Sequence, residues 1–278
     1  ATTSTTQARR FLNSINPAQG KYFSTITMAT NGISSNYEGV LGSIEKRFAD
    51  NYTILANYTY SRCHGVVPVT SLGGATLQNP ANAKADYGPC TYDVPNLFNA
   101  SVVYSSHLNS GNRFASYLLS DWQIAPLLRY ESGFPVNPVS GLDNSRTGIG
   151  LDRPNRVPGV PLYANTGHRR AKFQWVNPAA FTQNPVGTFG NAGHWMLRQP
   201  GYFDVDAAIS RTFKVTERFN VDARVEAFNV TNHPNFGGPT PSTGTGLLST
   251  VTLSSATFGQ ITTAGDQRIM QGALKFTF

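Results

Sequence analysis

Apolar and polar residues alternate with a period of two through most of this chain. From Phe219 to Ala227 the odd positions are Phe219, Val221, Ala223, Val225 and Ala227. The even positions are Asn220, Asp222, Arg224 and Glu226, so one face is apolar and the other holds three charges. Between Asn51 and Ser61 the apolar set is Tyr52, Ile54, Ala56, Tyr58 and Tyr60, facing mostly Asn, Thr and Ser. Phe203, Val205, Ala207 and Ile209 oppose Asp204, Asp206, Ala208 and Ser210. The last stretch sets Met270, Gly272, Leu274, Phe276 and Phe278 against Gln271, Ala273, Lys275 and Thr277. Helical spacing fits none of these segments. The pattern predicts about eight long strands, near 21–30, 36–48, 51–62, 95–106, 121–134, 201–213, 218–230 and 267–278. Several reach ten residues or more, against about five or six in soluble sheets, and ten is roughly what a tilted strand needs to cross a bilayer.

The connections between these strands are sorted by side. Asp50 marks one tight turn and Val215-Thr216-Glu217 another, and both fall on the side of the C-terminal residue, here called the near side. The long segments 63–94, 135–200 and 231–266, rich in Gly, Pro and Asn, all fall on the far side. Segment 107–120 is the one connection of medium length on the near side, and 31–35 the one short turn on the far side. Short turns at one end and long loops at the other are the layout of an outer-membrane barrel, with periplasmic turns and extracellular loops. A strand in lipid must satisfy its backbone through its neighbours, which forces closure. Aromatics near strand ends (Tyr22, Phe23, Tyr58, Tyr60, Phe276, Phe278) suit interfacial girdles. The fold class expected is therefore all-β: an antiparallel transmembrane β-barrel segment of about eight long strands.

Composition sharpens this picture. Charged residues are 13% of 278, about half the roughly 25% of a soluble domain. The apolar fraction, 40%, is ordinary, and Gly, Pro, Ser, Thr and Asn replace the missing charge. A wall with one face in lipid and one in water accounts for both. The longest apolar runs, such as Ile124–Leu128, fall far short of the roughly 20 residues of a transmembrane helix. The formal charge of +7 is scattered, and Arg9-Arg10 and His168-Arg169-Arg170 are too short for nucleic-acid arms. No nucleic-acid partner is expected.

The run Arg224-Val-Glu-Ala-Phe-Asn-Val-Thr-Asn-His-Pro-Asn-Phe-Gly-Gly-Pro resembles the next-to-last strand and loop of Oar-like TonB-dependent receptors, outer-membrane transporters abundant in Acidobacteria. Ala256-Thr-Phe-Gly-Gln-Ile-Thr-Thr-Ala-Gly-Asp-Gln-Arg and the closing Gln271-Gly-Ala-Leu-Lys-Phe-Thr-Phe extend the likeness. Ser35-Asn-Tyr, Tyr58-Thr-Tyr-Ser-Arg, Tyr92-Asp-Val-Pro, Asp121-Trp-Gln, Ser132-Gly-Phe-Pro, Asp152-Arg-Pro-Asn and Gly187-Thr-Phe-Gly-Asn-Ala-Gly are similar in order and spacing, so it covers nearly the whole chain. The resemblance implies a barrel of 22 strands filled by an N-terminal plug, of which residues 1–278 would be the C-terminal portion, without plug or TonB box. It implies energy-coupled uptake of a large solute, to which this part supplies wall strands and extracellular binding loops. Its partners would be outer-membrane lipid and lipopolysaccharide, the plug and N-terminal strands of its own receptor, the barrel-assembly machinery, and TonB acting through the plug. The alternative is a secreted soluble β-protein, a glycan-binding or adhesin-like module, whose apolar faces would pair as a sandwich core.

Few residues suggest chemistry. Cys63 and Cys90 end the first long loop, and a disulfide there, rather than two free thiols, suits an oxidising compartment and would stabilise by roughly 3 kcal/mol at most. Met270, Gly272, Leu274, Phe276 and Phe278 read as a lipid-facing strand and, by resemblance, as a C-terminal assembly signal. Asp204, Asp206, Asp222, Arg224, Glu226 and Lys275 would face the lumen, either as a mutually neutralising lining or as groups that tune solute passage. The five histidines (His64, His107, His168, His194, His233) have no ligand spacing. Asp143–Asp152 lacks the alternating acids of a calcium loop and reads as turn chemistry. No nucleophile motif is present, and neither a cofactor nor a catalytic residue is expected.

Overall fold

The computed structural model describes residues 5–24, 26, 33–49, 51–66, 77–106, 113–148, 150–164, 173–236, 251–261 and 263–278. Among these, seven long strands form one antiparallel meander in chain order: β1 (Ser35–Ala49), β2 (Tyr52–Gly65), β3 (Asn96–Ser105), β4 (Trp122–Glu131), β5 (Tyr202–Lys214), β6 (Asn220–Phe228) and β7 (Ile269–Thr277). Gly88–Pro89 adds a two-residue strand to β2. Each of the seven lies where period two places a strand, because alternation suits a single sheet with two unlike faces.

Of the expected strand at 21–30, only residues 21–24 and 26 are described, and these form no strand. Three short helices, α1 (Thr6–Arg9), α2 (Phe11–Ile15) and α3 (Pro17–Gly20), are followed by a turn at Lys21-Tyr22, and residues 25 and 27–32 lie outside the described residues. Pro17 at the first position of α3, with the Asn16 side chain accepting from the Gln19 amide, starts a helix just ahead of the segment where a strand was expected.

The register sorts the side chains into two faces. On one, Tyr58, Phe98, Tyr130 and Phe203 are successive cross-strand partners and form a continuous aromatic row toward the far side. Below it Ala56, Ala100, Leu128 and Val205 are aligned, and nearer the turns Ile209 pairs with Val225 and Val225 with Gly272. Tyr104, Trp122, Phe213 and Phe276 mark the near end of this face. Tyr130 and Trp122 are eight residues apart, about 26 Å at the rise of a strand, which matches the apolar band about 25 Å tall of outer-membrane barrels. No second layer covers the band among the described residues: Val40, Ile44 and Leu274 are each about two-thirds or more exposed. Among the described residues the sandwich core that a soluble module requires is thus not formed.

Tight turns close the near ends. Ala49 pairs with Tyr52, and Asn51 takes a left-handed backbone (φ 69°), as two-residue hairpins demand; Asp50 itself lies outside the described residues. At 215–219 the Val215 and Thr216 amides donate to the Phe219 carbonyl at 3.0 and 3.1 Å. The 106–121 connection differs, carrying a helix, α4 (Arg113–Leu119).

The buried hydrophobic core sits in the far-side loops rather than in the sheet. Val136, Val176, Ala180, Phe181, Ala192, Leu197, Phe258 and Ile261 form it, drawn from the second and third long loops. Short two-stranded pairings knit the same loops: Leu197–Arg198 with Pro135–Val136, Asn155–Arg156 with Phe181–Thr182, and Gln260–Ile261 with Phe173–Gln174. The far-side loops therefore make a folded layer on top of the strands.

Candidate functional site

The site has two parts, the loop layer and the polar face beneath its edge. In the loop layer Cys63, at the far end of β2, is bonded to Cys90, with a Cα–Cα distance of 5.3 Å. Asp93, three residues on, is buried; its Oδ1 accepts from the Cys63 amide at 2.7 Å and its Oδ2 pairs with Arg198. Arg198 also donates to the carbonyls of Asp93 (2.9 Å) and Gly133 (3.1 Å). One carboxylate and one guanidinium thus tie the disulfide, the first loop and both ends of the second loop together.

A second buried pair, Asp86 with Arg153, lies deeper in the layer. Asp86 Oδ2 accepts from the Gln78 amide at 2.7 Å, and Arg153 donates to the carbonyls of Ala192 (2.7 Å) and Ala85 (2.8 Å). A buried pair is stable only when its remaining donors and acceptors are met in this way. Gly190 backs onto the Arg153 carbonyl so closely that a Cβ would stand 1.7 Å from its oxygen. His194 Nδ1 donates to the Asp86 carbonyl at 2.7 Å, and burial pushes its pKa below the ordinary value, against the opposing pull of Asp86. Tyr163, which accepts from the Arg198 amide at 2.8 Å, is pushed up by burial.

Asp143 and Asp152 spend their carboxylates on backbone and hydroxyl groups. Asp143 accepts from the Gly148 amide at 3.0 Å, and Asp152 from the Ser145 amide and hydroxyl, each at 2.6 Å. Among the described residues no group of three or more His, Cys, Asp or Glu converges for a metal. His107 and His168 lie outside the described residues, while His64 stacks on Tyr87 and His233 meets the edge of Phe203.

On the sheet, the register puts Asp204, Asp206, Asp222, Arg224, Glu226 and Lys275 on the face opposite the aromatic row. Arg224 pairs with Glu226, which also accepts from Gln271. Asp222 stands opposite Lys275 in register and accepts from the Thr212 hydroxyl at 2.6 Å. The row Ser43, Asn57, Asn99, Arg129, Asp204 crosses five strands on this face. At its far edge a cleft of about 430 Å³ is lined by Tyr202, Asp204, Asp206, Phe228, Asp266 and Gln267 among others. Among the described residues its three carboxylates form no ion pair, and Asp206 accepts from the Asn229 amide at 2.9 Å. Met270, Gly272, Leu274 and Phe276 lie on the apolar face, where Phe276 stacks on Phe219 and Phe278 packs against the same ring.

The model of the outer membrane beta barrel domain matches residues 1–271. The chain belongs to the outer membrane beta barrel domain family. It is therefore an outer-membrane protein, and the exposed band and its aromatic rows are the face such a barrel turns to lipid. Membership in this family also disfavours the soluble alternative. No curated protein and no solved structure matches the chain at a significant level.

Sequence reasoning named the polar face of this barrel but not the buried groups of its loop layer. Asp93 and Arg153 stood in view only as parts of Tyr92-Asp-Val-Pro and Asp152-Arg-Pro-Asn. The available signal was a charge one or two residues before a Pro inside a long loop.

Proposed function

We propose that the chain is a wall sector, with its extracellular loops, of a TonB-dependent receptor of the Oar-like type, working in energy-coupled uptake of a large solute. The observation that carries this reading is the contrast between the two ends: a cored, disulfide-closed loop layer on the far side and tight turns on the near side. A layer this well packed gives solute a preformed surface, while the tight turns leave the near end open to a periplasmic partner. The far side is accordingly the cell exterior and the near side the periplasm.

In this reading Asp204, Asp206, Asp222, Arg224, Glu226 and Lys275 line the lumen, where they meet solute or the plug. The cleft at Tyr202, Asp204, Asp206 and Asp266 opens where loops and lumen meet, so it is the first polar surface that solute encounters inside the wall. The remaining strands and the plug belong to the rest of the receptor, and TonB acts on the plug. Met270, Gly272, Leu274, Phe276 and Phe278 serve the barrel-assembly machinery. The chain itself carries no catalysis.

The full-length protein tests this. It should bind the periplasmic domain of TonB and show no steady conductance in planar bilayers, because a plug fills the lumen. A permanently open pore without affinity for TonB would overturn the proposal.

A further inference from the structure

The 106–121 connection breaks the rule of tight near-side turns, and it does so by turning outward. Ser106 Oγ donates to the Leu119 carbonyl at 2.7 Å and accepts from the Trp122 amide at 3.1 Å, which brings the end of α4 back to the start of β4. Asp121 takes a left-handed backbone (φ 68°) to complete the return.

The direction of α4 follows from Arg211. By register Arg211 stands between Trp122 and Ala223, with Ile209 and Phe213 on either side along β5, so it springs from the apolar face. A guanidinium on that face would meet lipid, yet Arg211 is only 6% exposed. The rings of Tyr117, Trp122 and Phe213 surround it, with centroids at 5.2, 5.4 and 4.7 Å. It also donates to the Tyr117 carbonyl, one of the last carbonyls of α4, which the helix itself leaves unmet. Cation–π contact and an end carbonyl together replace the water that the charge has lost. Since Tyr117 reaches Arg211 on that face, α4 lies along the outer wall and not across the lumen.

Clasped there, α4 still shows its aromatic side chains. Phe114 is 72% exposed, Tyr117 64% and Leu119 50%. Phe114 and Tyr117 are three residues apart and share one side of the helix. Through Arg211, Tyr117 stands beside Trp122 and Phe213 at the near end of the apolar band, and so α4 extends the face that an outer-membrane barrel turns to lipid.

We infer that α4 is an in-plane membrane anchor: it lies in one leaflet at the near rim, Phe114 and Tyr117 seated at the boundary of phospholipid headgroups and acyl chains, with Arg211 as its clasp. That this leaflet is the periplasmic, phospholipid one rests on the sidedness proposed above; the lipid contact does not.

The two cysteines of the chain are bonded to each other, so a single introduced cysteine can carry a nitroxide. The labelled Phe114→Cys variant of the full-length protein, in bilayers of phosphatidylethanolamine and phosphatidylglycerol, is read by power saturation with oxygen and with a water-soluble nickel chelate. The oxygen-to-nickel accessibility ratio should be several-fold above that of Thr212→Cys on the polar face, and should approach that of Leu274→Cys on the apolar face. A nickel-dominated ratio equal to that at Thr212 overturns the anchor. If Phe114→Cys is not recovered folded, Tyr117→Cys takes its place with the same two outcomes. Adding Arg211→Gln should raise label mobility and lower the ratio, and an unchanged ratio would remove the clasp from the proposal. Because both leaflets of the test bilayer are alike, the lipid contact stands or falls independently of TonB binding and of sidedness.

Discussion

Asp86 and Arg153 are hidden from water at a point where the first loop crosses the second, and neither can lose its partner cheaply. Removing one member of a buried pair leaves an uncompensated charge, at a cost of about 3–5 kcal/mol. Arg153→Met should therefore loosen the loop layer, seen as faster amide exchange at Gln78 and Asp86, while the strands remain protected. Unchanged exchange would show that water reaches the pair. His194 adds a dependence on pH. It donates to the Asp86 carbonyl as a neutral ring, and burial holds its folded pKa below the unfolded value, about 6.5. Between the two values the unfolded chain binds the extra proton, so stability is full above about pH 6.5 and is lost as pH falls toward the folded pKa. Trp195, whose ring centroid lies 5.7 Å from that of His194, should report a less stable loop layer under acid in denaturant titrations. His194→Gln should flatten that dependence, and a slope that survives the substitution would assign it to other groups.

At the scale of elements, the first long loop depends on the disulfide that closes it. Cys63 and Cys90 are 27 residues apart, and in the chain-entropy model their link stabilises by about 3.5 kcal/mol. Reduction should release the segment between them to protease while leaving β5–β7 intact, and equal resistance with and without reductant would place the stability of the loop in the Asp93–Arg198 and Asp86–Arg153 pairs. The strands were legible because each needs only one rule, and residues such as Val221, Ala223 and Val225 obey it without interruption. The loop core was not legible. Val136, Leu197, Phe258 and Ile261 follow no period, and the pairings that gather them, Val136 with Leu197 and Ile261 with Phe173, join residues more than sixty apart in sequence. Seven-residue α4 is too short for a period to show, and Arg211, which fixes its place, breaks the alternation of its own strand. That the polar-face carboxylates share one face of the sheet was legible by parity alone. The cleft that gathers Asp204, Asp206 and Asp266 was not, since Asp266 comes from a loop with no alternation to follow.

For the whole molecule the decisive property is the pair of strand edges. Among the described residues β1 pairs only with β2, and β7 only with β6. In hydrocarbon each unmet backbone group costs several kcal/mol, so two bare edges 15 and 9 residues long cannot stand in lipid. They also cannot meet each other in the usual way. The meander holds an odd number of strands, so β1 and β7 both run from the far side to the near side and would pair parallel. Bacterial outer-membrane walls are antiparallel and even in strand number, which calls for an odd number of further strands between these two edges. The receptor reading provides them from the rest of the barrel. Residues 1–278 expressed alone and refolded into detergent or liposomes should thus give no heat-modifiable, protease-resistant monomer on unboiled gels. Co-refolding with the upstream wall of the full-length protein should restore that form. A compact heat-modifiable monomer from the isolated chain would mean that the seven strands close on themselves, and the wall-sector proposal would give way to a small independent barrel.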